Sequence, residues 1–333
     1  MDATEVELFE RSVRQAAADH TADALDAALT ALGWNDALAD DPYTAVSILF
    51  PVQGVANATS SALDQVVATG LGLGPPATEA VVLPRLGAST VPGTAAGDGV
   101  SVRGLGTHAF TRADTAVVAV TGDAGDSSTV VTVATADLRL EPVRGMDPDF
   151  GLVQVTGDGV GFGSRTDAPA SAWRTAVVLA RLAASYEMLG GARTMLALAR
   201  EHALDRIQYG GPISRFQAVR HRLADTLVAI EAAEAVVEAA REGPSPELAA
   251  MAKSLAGASA LTTARHCQQV LAGIGFTAEH AFHRYFRRIL VLDQLFGSAH
   301  VLTAELGEEL LRSRTLPVLL PLEDPVAAAT PGR

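Results

Sequence analysis

Arg206-Ile207-Gln208-Tyr209-Gly210-Gly211-Pro212-Ile213 interrupts an otherwise helical half of the chain, and its reading decides the fold. Glycine enters backbone conformations closed to other residues, and proline cannot continue a helix, so Gly-Gly-Pro breaks the chain direction. Upstream, residues 172–207 contain no proline and no evident cap, which predicts one very long helix. Downstream, a second helix is predicted from about Phe216 to Arg241, and Pro244 and Pro246 punctuate the next turn. A third covers 247–273 and a fourth runs from roughly 278 to 312, with Gly297 as its weak point. About 12 residues is a common helix length, so four long ones predict an up-and-down bundle with apolar surface to spare for a partner.

By spacing alone, Gly210-Gly211-Pro212 is as readily a plain turn as a ligand site. Arg206 can fork onto a phosphate, and Gln208 or Gln217 can donate to carbonyl or phosphate oxygens. A second run, Gln268-Gln269-Val270-Leu271-Ala272-Gly273-Ile274-Gly275-Phe276-Thr277-Ala278-Glu279-His280, pairs two glycines across one residue. Such spacing permits a tight turn or a close approach to a ligand. Thr277 is placed to cap the next helix and Glu279 to face its positive end. A structural connection and a cofactor cradle both satisfy this pattern.

Toward the N-terminus the character changes twice. Residues 5–40 read as helical, with Val6, Phe9, Val13, Leu25, Leu29 and Leu32 on apolar faces and Gly33 able to end the helix through Leu32. A helix is predicted from Pro42 to about Phe50, and a shorter one over 60–67. From Ala80 the β-branched runs 80–84, 115–121, 128–134 and 151–155, separated by Gly, Asp and Pro, predict a small, mostly antiparallel sheet. No glycine fingerprint follows a strand and opens a helix, so a dinucleotide-binding βαβ unit is not supported. The fold class is therefore α+β. An N-terminal helical region (1–78) is followed by a central β domain (79–166), a C-terminal four-helix bundle (167–316) and a flexible tail (317–333).

Bulk properties remove several functions. The 333 residues are 48% hydrophobic and 19% charged, as in a soluble globular protein with a substantial core. The formal charge of −13, with Lys253 the sole lysine and no arginine-rich run, argues against nucleic acid as a partner. Cys267, the single cysteine, excludes an internal disulfide and a thiolate cluster, and reads as a buried thiol. Met1-Asp2-Ala3-Thr4-Glu5 is acidic where a signal peptide is basic. No apolar run is read as approaching the roughly 20 residues of a membrane span. The expectation is a cytoplasmic protein without membrane insertion.

The order of residues from Arg206 to Asp225 resembles the acyl-CoA dehydrogenase family. There an arginine, any residue, glutamine, aromatic and glycine precede a proline, a phenylalanine-glutamine and an alanine-aspartate. The 269–276 run resembles that family's glutamine, any two residues, glycine-glycine, any residue, glycine-aromatic segment. Residues 283–288 stand where it has a charged, arginine-containing stretch. The order of N-terminal helices and central β region is also the family's, so the likeness covers most of the chain.

The resemblance implies FAD held between subunits and α,β-dehydrogenation of an acyl-CoA thioester. A carboxylate removes the α proton, hydride passes to the flavin, and electrons pass on to electron-transfer flavoprotein. Residue by residue, Arg206, Gln208, Tyr209, Phe216 and Gln217 match positions around the adenine-side half of a partner's FAD. Gln269 and Gly273 match the second element of that half-site. Tyr209 replaces the commoner phenylalanine, and Ala272 the first glycine of the pair.

The family's threonine-glutamate-proline and glycine-serine-aspartate segment, which lies beside the flavin ring, is not found between Gln65 and Leu86. The chain thus resembles the short subunits of heterotetrameric (α2β2) dehydrogenases of steroid side-chain acyl-CoA, which pair with a longer, flavin-competent homologue. Leu292-Asp293-Gln294-Leu295-Phe296-Gly297 shares in that likeness. Where most members place the catalytic glutamate before glycine-threonine, this chain has Phe296. At the family's alternative position on the long helix it has Ala180.

Glu187, seven residues beyond Ala180 and so about two turns along the same face, is the candidate catalytic base. Its apolar surroundings suit a raised pKa, and equally a structural pair with an arginine. Glu247 reads as a first-turn helix residue and Glu279 as part of the second motif's architecture. His280 and His283, three apart, lack an evident third ligand, so no metal is expected and a polar interface suits them better. Two alternatives stay beside the catalytic subunit: a noncatalytic organiser of the partner's FAD site, and a flavin-free acyl-CoA-binding protein.

Overall fold

The computed structural model describes residues 3–74, 79–96, 98–121, 128–145, 147–169 and 171–315, so the expected tail 317–333 lies outside the described residues. The chain starts with five helices, α1 (Ala3–Asp19), α2 (Asp23–Ala31), α3 (Trp34–Asp40), α4 (Pro42–Ala56) and α5 (Ala62–Gly70). Gly33, at φ 80°, separates α2 from α3 as expected of a left-handed C-terminal glycine. Asp41 caps α4, its carboxylate accepting from the amides of Tyr43 and Thr44 at 3.1 Å, while Pro42 occupies the first turn, where it has no amide to waste. Contrary to expectation, α4 continues past Phe50 through Pro51 to Ala56. Burial of Val52, Gln53 and Gly54 outweighs the one hydrogen bond that Pro51 forfeits.

The central domain contains β1 (Ala80–Val81), β2 (Gly93–Ala96), β3 (Gly99–Gly106), β4 (Thr115–Thr121), β5 (Ser128–Ala134), β6 (Arg139–Pro142), β7 (Val153–Val160) and β8 (Ser164–Asp167). They form one eight-stranded sheet in the order β6-β7-β3-β2-β4-β5-β8, with β1 added beside β4. All pairings are antiparallel except β1–β4 and β2–β4. β4 explains its own unbroken apolar run. Ala116, Val118 and Val120 enter a core private to the sheet, whereas Val117 and Ala119 join the core shared with the helices. Both faces are buried, so no polar alternation remains.

Asp64 ties α5 to this sheet. It is fully buried, accepting from the Val81 amide at 2.9 Å and the Thr107 hydroxyl at 2.7 Å. Burial, opposed by those bonds, raises its pKa from 3.8 to about 6. Because the folded value lies above the unfolded one, its favourable contribution is complete below about pH 4 and is lost as pH rises through 6. Asp64→Asn removes the charge, keeps the bond from the Val81 amide and reverses the other, its amide nitrogen donating to the Thr107 hydroxyl oxygen. Its stability at pH 7 is expected to exceed wild type by on the order of 2 kcal/mol, with the two converging near pH 4. Urea denaturation at both pH values reads the difference.

The last third is helical: α6 (Ala172–Asp205), α7 (Gln217–Glu242), α8 (Pro246–Leu271), α9 (Phe282–Gln294) and α10 (Ala299–Ser313). Helix α6 is the centre of the molecule, buried almost all round from Ala176 to Ala192 and packed on α4, α5, α7, α8 and α9. Gly54 and Gly190 let α4 and α6 touch backbone to backbone. A Cβ on Gly54 would fall 2.1 Å from the Glu187 carbonyl oxygen, and one on Gly190 would fall 2.2 Å from that of Pro51. The predicted fourth helix is two. Phe296 (φ 57°) and Gly297 (φ 100°) break it, and Ser298 caps α10.

The cause of that break lies across the bundle. Lys253, wholly buried, donates to the carbonyls of Asp293 (2.9 Å) and Gly297 (3.2 Å), and Arg181 donates to that of Phe296 (3.1 Å). Asp293 accepts from the Ala299 amide at 3.0 Å. Buried cations thus satisfy carbonyls that a continuous helix would have satisfied itself. The span Phe282–Ser313 passes a length-and-composition test for crossing a bilayer, against the expectation that no run does. Here it is bent in the middle and packed against α6 and α8.

Candidate functional site

The motif at 206–213 folds as a hairpin between β9 (Ile207–Gln208) and β10 (Gly211–Pro212), with Gln208 opposite Gly211. A two-residue loop that follows the twist of such strands needs φ > 0 at both central positions. Gly210 meets this freely at 81°, whereas Tyr209 meets it at 52° with its ring 86% exposed. Arg215 holds the turn from below, donating to the Tyr209 carbonyl at 2.5 Å and lying 5.3 Å over the Phe216 ring. The Tyr209 and Phe216 rings stand edge to face at 6.1 Å.

The second motif ends α8 directly opposite. Together the two enclose a groove of about 430 Å³, lined by Gln208, Tyr209, Ile213, Phe216, Val219, Arg222 and Gln269 among others. Four residues expected from sequence therefore meet in one place: Gln208, Tyr209, Phe216 and Gln269. Arg206 caps the C-terminus of α6 and, like Gln217 and Gly273, is exposed without lining the groove. A Cβ on Gly210 or Gly273 would meet nothing within 4 Å, so neither glycine is demanded by packing within this chain. The sequence reading missed Ile213, Val219 and Arg222. Their signal was available: 216, 219 and 222 recur on one helical face.

Ala272, at the family's first glycine, sits at φ 54°, ψ −133°, a region that disfavours any side chain. Ala272→Gly is expected to raise stability by about 1 kcal/mol in urea denaturation, strain relief exceeding the added chain entropy.

Glu187 lies elsewhere, at the α4–α6 crossing, and is 3% exposed. One carboxylate oxygen accepts from Arg288 Nε (2.9 Å) and Nη2 (2.8 Å), the other from Gln53 Nε2 (2.9 Å). Arg288 also donates to the Thr59 hydroxyl (2.8 Å) and the Ala58 carbonyl, and its guanidinium lies 4.2 Å over the Phe150 ring. Burial pushes the Glu187 carboxyl upward in pKa, against the opposing pull of Arg288. Both oxygens are occupied and α4 lies directly upon the residue, so this is the geometry of a structural carboxylate and not of a base facing an open cavity. Phe296 and Ala180, at the family's two base positions, are also buried.

Other candidates resolve into local structure. His280 Nδ1 accepts from the Phe282 amide (3.2 Å), and His283 Nδ1 meets the His280 carbonyl (2.7 Å), so the pair organises the start of α9. Burial raises the Cys267 thiol to about 12. Asp23, Asp26 and His108 cluster closely enough for a cation, but Arg112 already bridges both carboxylates.

The family model for the acyl-CoA dehydrogenase C-terminal domain matches residues 171–311, a span that contains the hairpin, the second motif and the groove between them. Residues 171–311 belong to the acyl-CoA dehydrogenase family. Acyl-CoA dehydrogenase IpdE2 of Mycobacterium tuberculosis is 34% identical over 200 residues, which cover 57% of this chain and 59% of that relative. The chain thus spans about three-fifths of it. Among acyl-CoA dehydrogenase structures, the Tcur3481-Tcur3483 steroid enzyme, as a G363A variant, superposes with a TM-score of 0.79 at 21% identity, covering 93% of this chain and 99% of that one. A chain of the ChsE4-ChsE5 complex from Mycobacterium tuberculosis gives 0.73 at 20% identity, covering 96% and 99%. At such identities these likenesses establish the fold: helical N-terminal region, central sheet and C-terminal helices.

Proposed function

We propose that this chain is the shorter subunit of an FAD-dependent acyl-CoA dehydrogenase, which closes the nucleotide end of a flavin held mainly by a longer homologous partner. The observation that carries this reading is the groove uniting Gln208, Tyr209, Phe216 and Gln269, in a chain lacking the ring-binding segment and any exposed carboxylate at the family's base positions. The donor set suits the group. Gln208 and Gln269 offer amide hydrogens to ribose or phosphate oxygens, and Phe216 and Tyr209 offer aromatic surface. Arg206, exposed at the hairpin's entrance, supplies positive charge toward the diphosphate.

FAD, when bound, supplies the hydride acceptor. This chain's own residues hold and orient its nucleotide half and exclude water there. Removal of the α proton falls to the partner, because Glu187 is committed to Arg288. The substrate class we assign is a bulky acyl-CoA of the steroid side-chain kind, in an α2β2 heterotetramer that passes electrons to electron-transfer flavoprotein. The relatives named for steroid substrates and for a two-component complex support that assignment. Co-expression with the longer homologue should yield a yellow complex with near-stoichiometric FAD. A stable but colourless complex would overturn the proposal, and saturable thioester binding by the isolated chain would favour the flavin-free alternative.

A further inference from the structure

We propose that Arg222 is a further ligand of the nucleotide half of that cofactor, its guanidinium capping the far end of the groove over the adenine ring; this rests on the reading given under Proposed function. Arg222 lines the groove together with Val219, one turn earlier on α7, and Phe216, the residue that caps the start of that helix. Six residues of helix place it about 9 Å along the axis from Phe216, roughly the reach of a ribose and a base.

Several other arginines of the fold are spoken for: Arg112 by Asp23 and Asp26, Arg193 by Glu231 and Glu234, Arg241 by Glu238, and Arg288 by Glu187. No described residue forms an ion pair or hydrogen bond with the Arg222 guanidinium, although the chain carries an excess of acid. A cation left single on the wall of a groove is available to a ligand.

The surroundings select the ligand group. Ile213, Phe216, Val219 and Val270 make the middle of the groove apolar, which suits the face of a flat heteroaromatic ring better than a phosphate. A guanidinium can stack on such a ring and donate to its ring nitrogens, whereas an ammonium offers only a point charge. Near Arg222 but outside the groove lining, His266 Nδ1 lies 2.9 Å from the Thr226 hydroxyl. Burial, helped by the charges of Arg222 and Arg265 and opposed by that of Asp225, holds His266 below its usual pKa; of these groups only Arg222 lines the groove. Arg206 stands at the opposite end, beside the hairpin.

The test uses the co-expressed complex, stripped of flavin and titrated with FAD and with FMN, which lacks the adenosine. Arg222→Met is expected to weaken FAD binding by about tenfold or more while leaving FMN binding unchanged, with Arg222→Lys recovering only part of the loss. Thermal denaturation of the complex confirms that the exposed substitution leaves the fold intact, and Arg222→Gln serves if the methionine variant aggregates. Unaltered FAD affinity in these variants, alongside loss of FAD on truncating Phe216 and Gln269, would show the groove to be real and Arg222 idle. Failure of the wild-type complex to bind FAD at all would remove the parent reading, and this one with it.

Discussion

Glu187→Ala is expected to destabilise the chain by about 3–5 kcal/mol, the cost of leaving a buried guanidinium without its counter-charge. Arg288 is 4% exposed and reaches the Ala58 carbonyl, the Thr59 hydroxyl and the Phe150 ring, so it cannot swing to solvent when its partner is removed. The loss reads directly from urea midpoints. A Glu187→Leu/Arg288→Met double variant should lose less than either single change, because two apolar side chains need no pairing. The pH dependence carries a definite sign. The folded carboxyl sits above its ordinary 4.5, so its favourable contribution is present below that value and lost as pH rises through the folded pKa.

Glu187→Gln separates structure from catalysis. As a member of the Arg288 pair, it should lower the melting temperature of the complex and leave turnover per bound flavin within a few-fold. A fall of several orders of magnitude in turnover, with flavin retained and melting unchanged, would restore Glu187 as the base.

The second large effect concerns the cofactor. Phe216→Ala combined with Gln269→Ala should reduce FAD retention by the assembled complex about 100-fold. The estimate follows from one lost aromatic face and one lost hydrogen bond, together roughly 3 kcal/mol. Gln269 is exposed and Phe216 half-buried, so the isolated chain should keep its stability within about 1 kcal/mol. Flavin absorbance after gel filtration measures the first effect and chemical denaturation the second. Full flavin occupancy in the double variant would separate the groove from the cofactor and leave the two motifs as inherited architecture.

Much of this molecule was legible in one dimension because its signals are local. Asp41-Pro42 opens α4, Gly33 separates α2 from α3, and the absence of proline over 172–207 produces α6, all through interactions spanning one or two turns. The ordered run from Arg206 to Phe216, set against Gln269, carried the family likeness and half of the groove, since each motif forms within its own turn. What distant packing controls was not legible. The break at 295–298 depends on Lys253 and Arg181, more than 40 residues away along the chain. Pro51 stays inside α4 because α6 covers it. Glu187 had two meanings by itself, and Arg288 and Gln53, 101 and 134 residues away, chose between them. Charge and helical period follow from the sequence alone, but a carboxylate's role depends on which cation the fold places beside it, and the low dielectric of the interior makes that placement decisive.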